Sequence, residues 1–172
     1  MNRIKLLSIL LFILSCLSIK SQTPDEKIGS LINNSDYFEL DEQYAKLKND
    51  IDPLLRMFSE VMLNFSFNNP HLTCIYADSL VENYAQEIGI QNVMSMAMIK
   101  SQSLAEMEEY KLAADNILKI IDDASAYMDS TSLDATRSTL QYYNKLSVLP
   151  KSELIRPAYD TEVPIDIDTL KV

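Results

Sequence analysis

The sequence predicts an all-α fold: an antiparallel helix-turn-helix array followed by a short C-terminal extended segment. Three observations carry this. Only two glycines, Gly29 and Gly89, occur in 172 residues. Apolar side chains step by three and four over long stretches, the spacing of one helix face. Cap residues followed by proline recur along the chain as helix starts.

The first start is Thr23-Pro24-Asp25-Glu26, a capping hydroxyl, a proline at the first helical position and acids in the first turn. It leads a short helix carrying Ile28, Leu31 and Ile32, which Asn33-Asn34-Ser35 ends. Asp36-x-x-Glu39 opens the second as a capping box, and Tyr37, Leu40, Tyr44, Leu47 and Ile51 form its stripe. Asp52-Pro53 restarts the chain, with Leu54, Phe58, Val61, Met62 and Phe65 on one face. Asn69-Pro70 does the same, followed by Leu72, Ile75 or Tyr76, Leu80, Tyr84 and Ile88, and Gly89 stops the helix as C-cap. Two more helices are expected over 92–107 and 110–128, the latter with Ala113, Ile117, Ile120, Ile121 and Ala124 inward. Thr131-x-x-Asp134 caps the last, with Leu133, Leu140, Tyr143 and Leu146 along its face. Short loops make successive helices antiparallel neighbours.

Ahead of this array lies a leader. Met1-Asn2-Arg3-Ile4-Lys5 is a basic stub, Leu6 to Leu17 carries no charge, and Ser18 to Gln22 is a small-residue exit. Those are the three parts of a secretory signal peptide, and the apolar run falls short of the roughly 20 residues a membrane span needs. Cleavage after Ser21 would leave Gln22 at the new terminus. A second exit is also readable: Ile13-Leu14-Ser15-Cys16 resembles a bacterial lipobox, with Cys16 as the lipidated first residue, although Leu14 departs from that pattern. The first route gives a periplasmic or secreted protein and the second a membrane-anchored lipoprotein, so a membrane is a partner only if Cys16 is lipidated. On either route Cys74 has no cysteine of this chain to pair with, which excludes a disulfide scaffold.

Hydrophobic residues make up 47% of the chain, enough to support a core, and 25 acids against 15 bases give a formal net charge of −10. That charge repels phosphate backbones, so nucleic acid is excluded as a partner class. The organisation expected is a signal peptide over 1–21, a helical-repeat domain over 22–149, and a linker with a lone strand over 150–172.

Helical segments of about 15 to 18 residues, taken in pairs, give a period of about 35, the range of helix-turn-helix solenoids. Within Ser101 to Ala114, the aromatic Tyr110 follows a turn and Ala113 stands three residues on. This stretch resembles the turn of a tetratricopeptide repeat, where that alanine marks a close helix contact. Glu108 stands where the family has glycine, and the upstream pair over 54–88 lacks the signature residues. The resemblance implies a module that binds a protein or peptide.

After Pro150 the pattern changes. Pro157, Pro164, Asp160 and Glu162 break helical spacing, and Val163, Ile165 and Ile167 alternate with Pro164, Asp166 and Asp168 as a strand does. The apolar ending Leu170-Lys171-Val172 reads as a chain that continues into another domain. An exported helical region, a proline-marked linker and Asp160-Thr161-Glu162-Val163-Pro164-Ile165 leading into a strand is similar to secreted bacterial retropepsin-like aspartyl proteases. The resemblance implies an accessory region ahead of a protease domain. The family's Asp-Thr-Gly is absent: Glu162 follows Asp160-Thr161 and Leu170 follows Asp168-Thr169. No catalytic residue is therefore assigned, and the chain as given is not expected to be an enzyme.

His71, Cys74 and Asp78 share one helix face, as zinc ligands or a Cys-His nucleophile would. With one histidine in the chain, a packed Cys74 and a solvated His71 is the favoured reading. Glu108-Glu109, Asp122-Asp123 and Asp166/Asp168 lack the glycine-supported turn of a calcium loop and read as solvated acids. Met94, Met96, Met98 and Met107 read as core filling ahead of an adaptable surface. No phosphate loop, dinucleotide fingerprint, CxxC or GxSxG occurs, so no cofactor and no metal is expected.

Overall fold

A computed structural model describes residues 22–149. Six α-helices follow one another: α1 (Pro24–Asn33), α2 (Tyr37–Leu47), α3 (Pro53–Ser66), α4 (Pro70–Glu106), α5 (Tyr110–Ala124) and α6 (Ser130–Ser147), with a 3-10 turn at Ser125–Tyr127 before the last. There is no strand among the described residues, and the fold is an all-α helical array. Residues 1–21 and 150–172, with the leader, Cys16 and the expected strand, lie outside the described residues.

The helix starts follow local chemistry. Thr23 and Glu26 form a full capping box, each side chain bonding the other's backbone N–H. Asp36 makes only half of one: its carboxylate accepts from Glu39 N, while the Glu39 side chain turns to Gln43. Asp52 caps α3 by accepting from Leu54 N, ahead of Pro53. Asn69 stands at the N-cap of α4 but makes no side-chain cap bond; its carbonyl accepts the Thr73 hydroxyl instead. The cap of α6 is Asp129, two residues before the expected Thr131. Its carboxylate accepts from Ser132 N, and this bond holds the group below its usual carboxylate value.

α4 is two helical arms that meet at Gly89 in a kink. Gly89 has φ 72° and ψ 164°, a conformation essentially closed to residues with a Cβ. Asp78 and Lys100 lie eleven residues either side of it (89 − 78 and 100 − 89). A straight helix would hold them about 33 Å apart, yet Lys100 Nζ lies 2.6 Å from Asp78 Oδ1. The two arms of α4 therefore fold back on each other, and Gly89 ends the first arm where the sequence places a stop.

Three other reversals share one geometry. Ser35, Asn68 and Glu108 all take positive φ, at 56°, 56° and 63°. The residue after each sends its N–H five residues back: Asp36 to Leu31 O, Asn69 to Asn64 O and Glu109 to Leu104 O. This is the Schellman closure, normally built on glycine. Burial repeats in step with it. Seven positions before the turn lie Ile28, Val61 and Ser101; five after it, Leu40, Thr73 and Ala113; nine after it, Tyr44, Ala77 and Ile117. All nine are buried. The spacings are uneven (68 − 35 = 33 and 108 − 68 = 40), so the recurrence lies in turn and burial more than in strict period. The chain is thus three helical hairpins, α1–α2, α3 with the first arm of α4, and the second arm with α5, closed by α6.

The core runs as three clusters between successive helices. Ile28, Leu40, Tyr44, Ile51 and Leu63 make the first; Val61, Ala77, Leu80, Ile88 and Met96 the second; Ala113, Ala114, Ile117, Ile120 and Tyr143 the third. α3 feeds two of them. Val61 faces α4, while Leu63 packs with α1 and α2, so this helix is buried on two sides where the sequence shows one stripe. On the first arm of α4, Tyr76 is the partly buried one of the alternative pair and Ile75 is exposed. Leu72 is exposed as well, because the inward positions are taken by Thr73, Cys74, Ala77 and Leu80. Tyr44 donates to Glu60 Oε1 at 2.7 Å, and burial together with this bond pushes its phenol well above its usual range.

The glycines give opposite expectations for one substitution. Gly29 lies inside α1 with open space where a Cβ would stand. Gly29→Ala should stabilise by about 0.5–1 kcal/mol. A Cβ at Gly89 meets nothing either, but its φ is wrong for alanine, so Gly89→Ala should destabilise by about 1–3 kcal/mol. Urea midpoints moving in the same direction for both variants would contradict the backbone assigned to Gly89.

Candidate functional site

Tyr110 and Ala113 both lie in the first turn of α5. Tyr110 begins α5 and packs against the third cluster beside Leu104 and Ala105. Ala113 is 0% exposed. Glu108, two residues before α5, takes a left-handed conformation that glycine adopts most easily.

The open surface lies over α4 and α5. Two cavities, of about 240 and about 350 Å³, line up between the first arm of α4 and α5, with the second arm beneath. Both are bordered by Asp78, Lys100 and Asn116. Lys100 donates to both Asp78 oxygens, at 2.6 and 2.8 Å. Asn116 Nδ2 donates to Ala97 O at 2.7 Å and to Ser101 Oγ at 2.6 Å, so both amide hydrogens are used and the side-chain orientation is fixed. Neither Asn116 nor Lys119 stands out in the sequence. The one available signal is an asparagine beside the buried Ile117.

His71, Cys74 and Asp78 border the same surface, but they do not gather round an ion. Among the described residues no three of His, Cys, Asp or Glu form a group able to hold a metal. Asp78 is committed to Lys100. Cys74 is buried, with its sulfur 3.8 Å from Lys100 O, and burial pushes its thiol up, the nearby Lys100 only partly opposing this. A thiol held protonated is a poor nucleophile. The acids at 109, 122 and 123 are exposed.

The methionines divide. Met96 is core, and Met94 packs on the third cluster while bordering the smaller cavity. Met107 borders the larger one. Met98 is exposed on the opposite face, in a groove of about 380 Å³ with Phe65, Gln102, Thr139 and Tyr143. The residues that carry the protease resemblance, Asp160 to Ile165 and Asp168, lie outside the described residues.

Two measurements check this geometry. Ala113→Leu should overpack the α4–α5 contact and cost about 1–3 kcal/mol, whereas exposed Lys111→Ala should cost under about 0.5 kcal/mol. Equal urea midpoints would mean that Ala113 is not a close-contact residue. Cys74 should resist alkylation in the native chain at pH 8 and react fully in denaturant; fast native labelling would contradict its burial.

Compared with known proteins, the chain matches no family model, no curated protein and no solved structure.

Proposed function

We propose that this chain is exported and that its helical array binds a protein or peptide, with no catalysis of its own. The observation that carries the reading is the recurrence of one turn, at Ser35, Asn68 and Glu108, with the same burial register around each. Stacked hairpins of this kind offer extended surfaces to partner chains. The two faces of the array each hold a groove with mixed apolar and polar borders, which supports a partner with both kinds of group. The turn at Tyr110 and Ala113, similar to a tetratricopeptide repeat, points the same way. Export is supported by the leader over 1–21, and among the described residues no helix is long and apolar enough to cross a membrane.

A photo-crosslinking residue placed at Met98 or Leu112 should trap a discrete adduct with another polypeptide in the exported fraction of producing cells. The same residue at exposed Ser138 on α6 should not. Absence of adducts from both grooves would overturn the binding role. The mature N-terminus, read by intact mass, should be Gln22; a diacylated Cys16 would replace the secreted form with the lipoprotein.

A further inference from the structure

We infer that the face between the first arm of α4 and α5 is a groove for an extended peptide with apolar side chains two residues apart and basic flanks. This rests on the binding role proposed above and names its site and ligand class. The two cavities lie on either side of a polar ridge, the larger walled mainly by apolar groups and the smaller carrying Lys119 and Asp123 as well. Val81, Val93 and Ile120 border the smaller; Ile75, Leu104 and Leu112 border the larger; Asp78, Lys100 and Asn116 belong to both.

The ridge offers one acceptor and one donor. Both Asn116 amide hydrogens are spent, which leaves its Oδ1 to accept. Two of the three Lys100 hydrogens go to Asp78, which leaves one to donate. A strand backbone crossing the ridge supplies the matching N–H and C=O.

Spacing agrees with this. Along α5 the larger pocket runs from Leu112 to Asn116 and the smaller from Asn116 to Ala124. Their centres are about six residues, or roughly 9 Å, apart. On a strand only even steps point to one side, at roughly 7 Å for two residues and roughly 14 Å for four, and of these the two-residue step is the nearer match. Ile75 and Leu112, 46% and 53% exposed, gain cover when such a peptide is seated.

Charge selects the flanks. Within the groove Lys100 and Lys119 balance Asp78 and Asp123, so its centre suits an uncharged segment. The chain around it carries a net charge of −10, and on the two bordering helices exposed Glu82, Asp115 and Asp122 outnumber the one further exposed base, Lys111. Basic residues at the peptide's ends are attracted there and acidic ones repelled.

The probe is a fluorescein-labelled synthetic peptide, Leu-Ser-Leu with two lysines at each end, read by anisotropy against the chain from residue 22 to 172. A control peptide moves the leucines three apart. The first should bind about tenfold tighter than the second, and the affinity should fall as salt rises from about 0.05 to 0.3 M. Ile75→Ser and Leu112→Ser change exposed side chains, and circular dichroism confirms their folding. Each should weaken binding about tenfold, while Met98→Ser on the opposite face should not. Equal affinity for the two spacings, or no binding of either, overturns the groove. Loss on Met98→Ser with none on Leu112→Ser also overturns it, yet leaves the binding role standing on the other face. The role itself falls only if crosslinks from both faces are absent.

Discussion

The array depends on reversing the chain without stranding the carbonyls at each helix end. Helices of 10 to 18 residues, as α1, α2, α3, α5 and α6 are, gain little stability alone. They hold by laying an apolar face on a neighbour, and that requires a turn tight enough to return the chain at once. At Ser35, Asn68 and Glu108 a single left-handed residue does this while the next N–H reaches the exposed carbonyls of Leu31, Asn64 and Leu104. Only at Gly89 is the reversal left to glycine. The left-handed conformation costs an ordinary residue free energy, and the packing on both sides of each turn offsets it.

Much of this was legible, because capping is local chemistry. Thr23-Pro24 and Asp52-Pro53 declare their helices in four residues or fewer, and Gly89 declares its stop. Burial was legible only where the inner face is made of large apolar groups. Ile28, Leu40 and Tyr44 could be read from spacing; Ser59, Thr73, Ser101 and Ser103, all fully buried or nearly so, could not, since nothing in a serine announces that it faces inward. Most of these hydroxyls resolve their burial by bonding a carbonyl one turn back, as Ser59 does to Leu55 and Ser101 to Ala97. Leu72 and Ile75 misled in the opposite sense, being apolar and outward.

The candidate groove was the least legible part. Its ridge joins Asp78, Lys100 and Asn116 from two arms and a third helix, and only the fold at Gly89 brings the first two together. Tyr110 and Ala113 were readable because both lie on one short stretch just after a turn. Asn116 is readable only once α4 and α5 are in contact, when its amide is seen to bridge them. Contacts between helices distant in sequence leave no local mark.

The outward side of α6 has a consequence for assembly. Thr131, Asp134, Arg137, Ser138, Gln141 and Lys145 are exposed there, with Tyr142 the main apolar exception. An apolar surface on that side of a helix would invite a second molecule to pack against it. A second molecule on this side would strip water from both signs of charge in return for little apolar cover. Self-association through the outward side of α6 is therefore unfavourable.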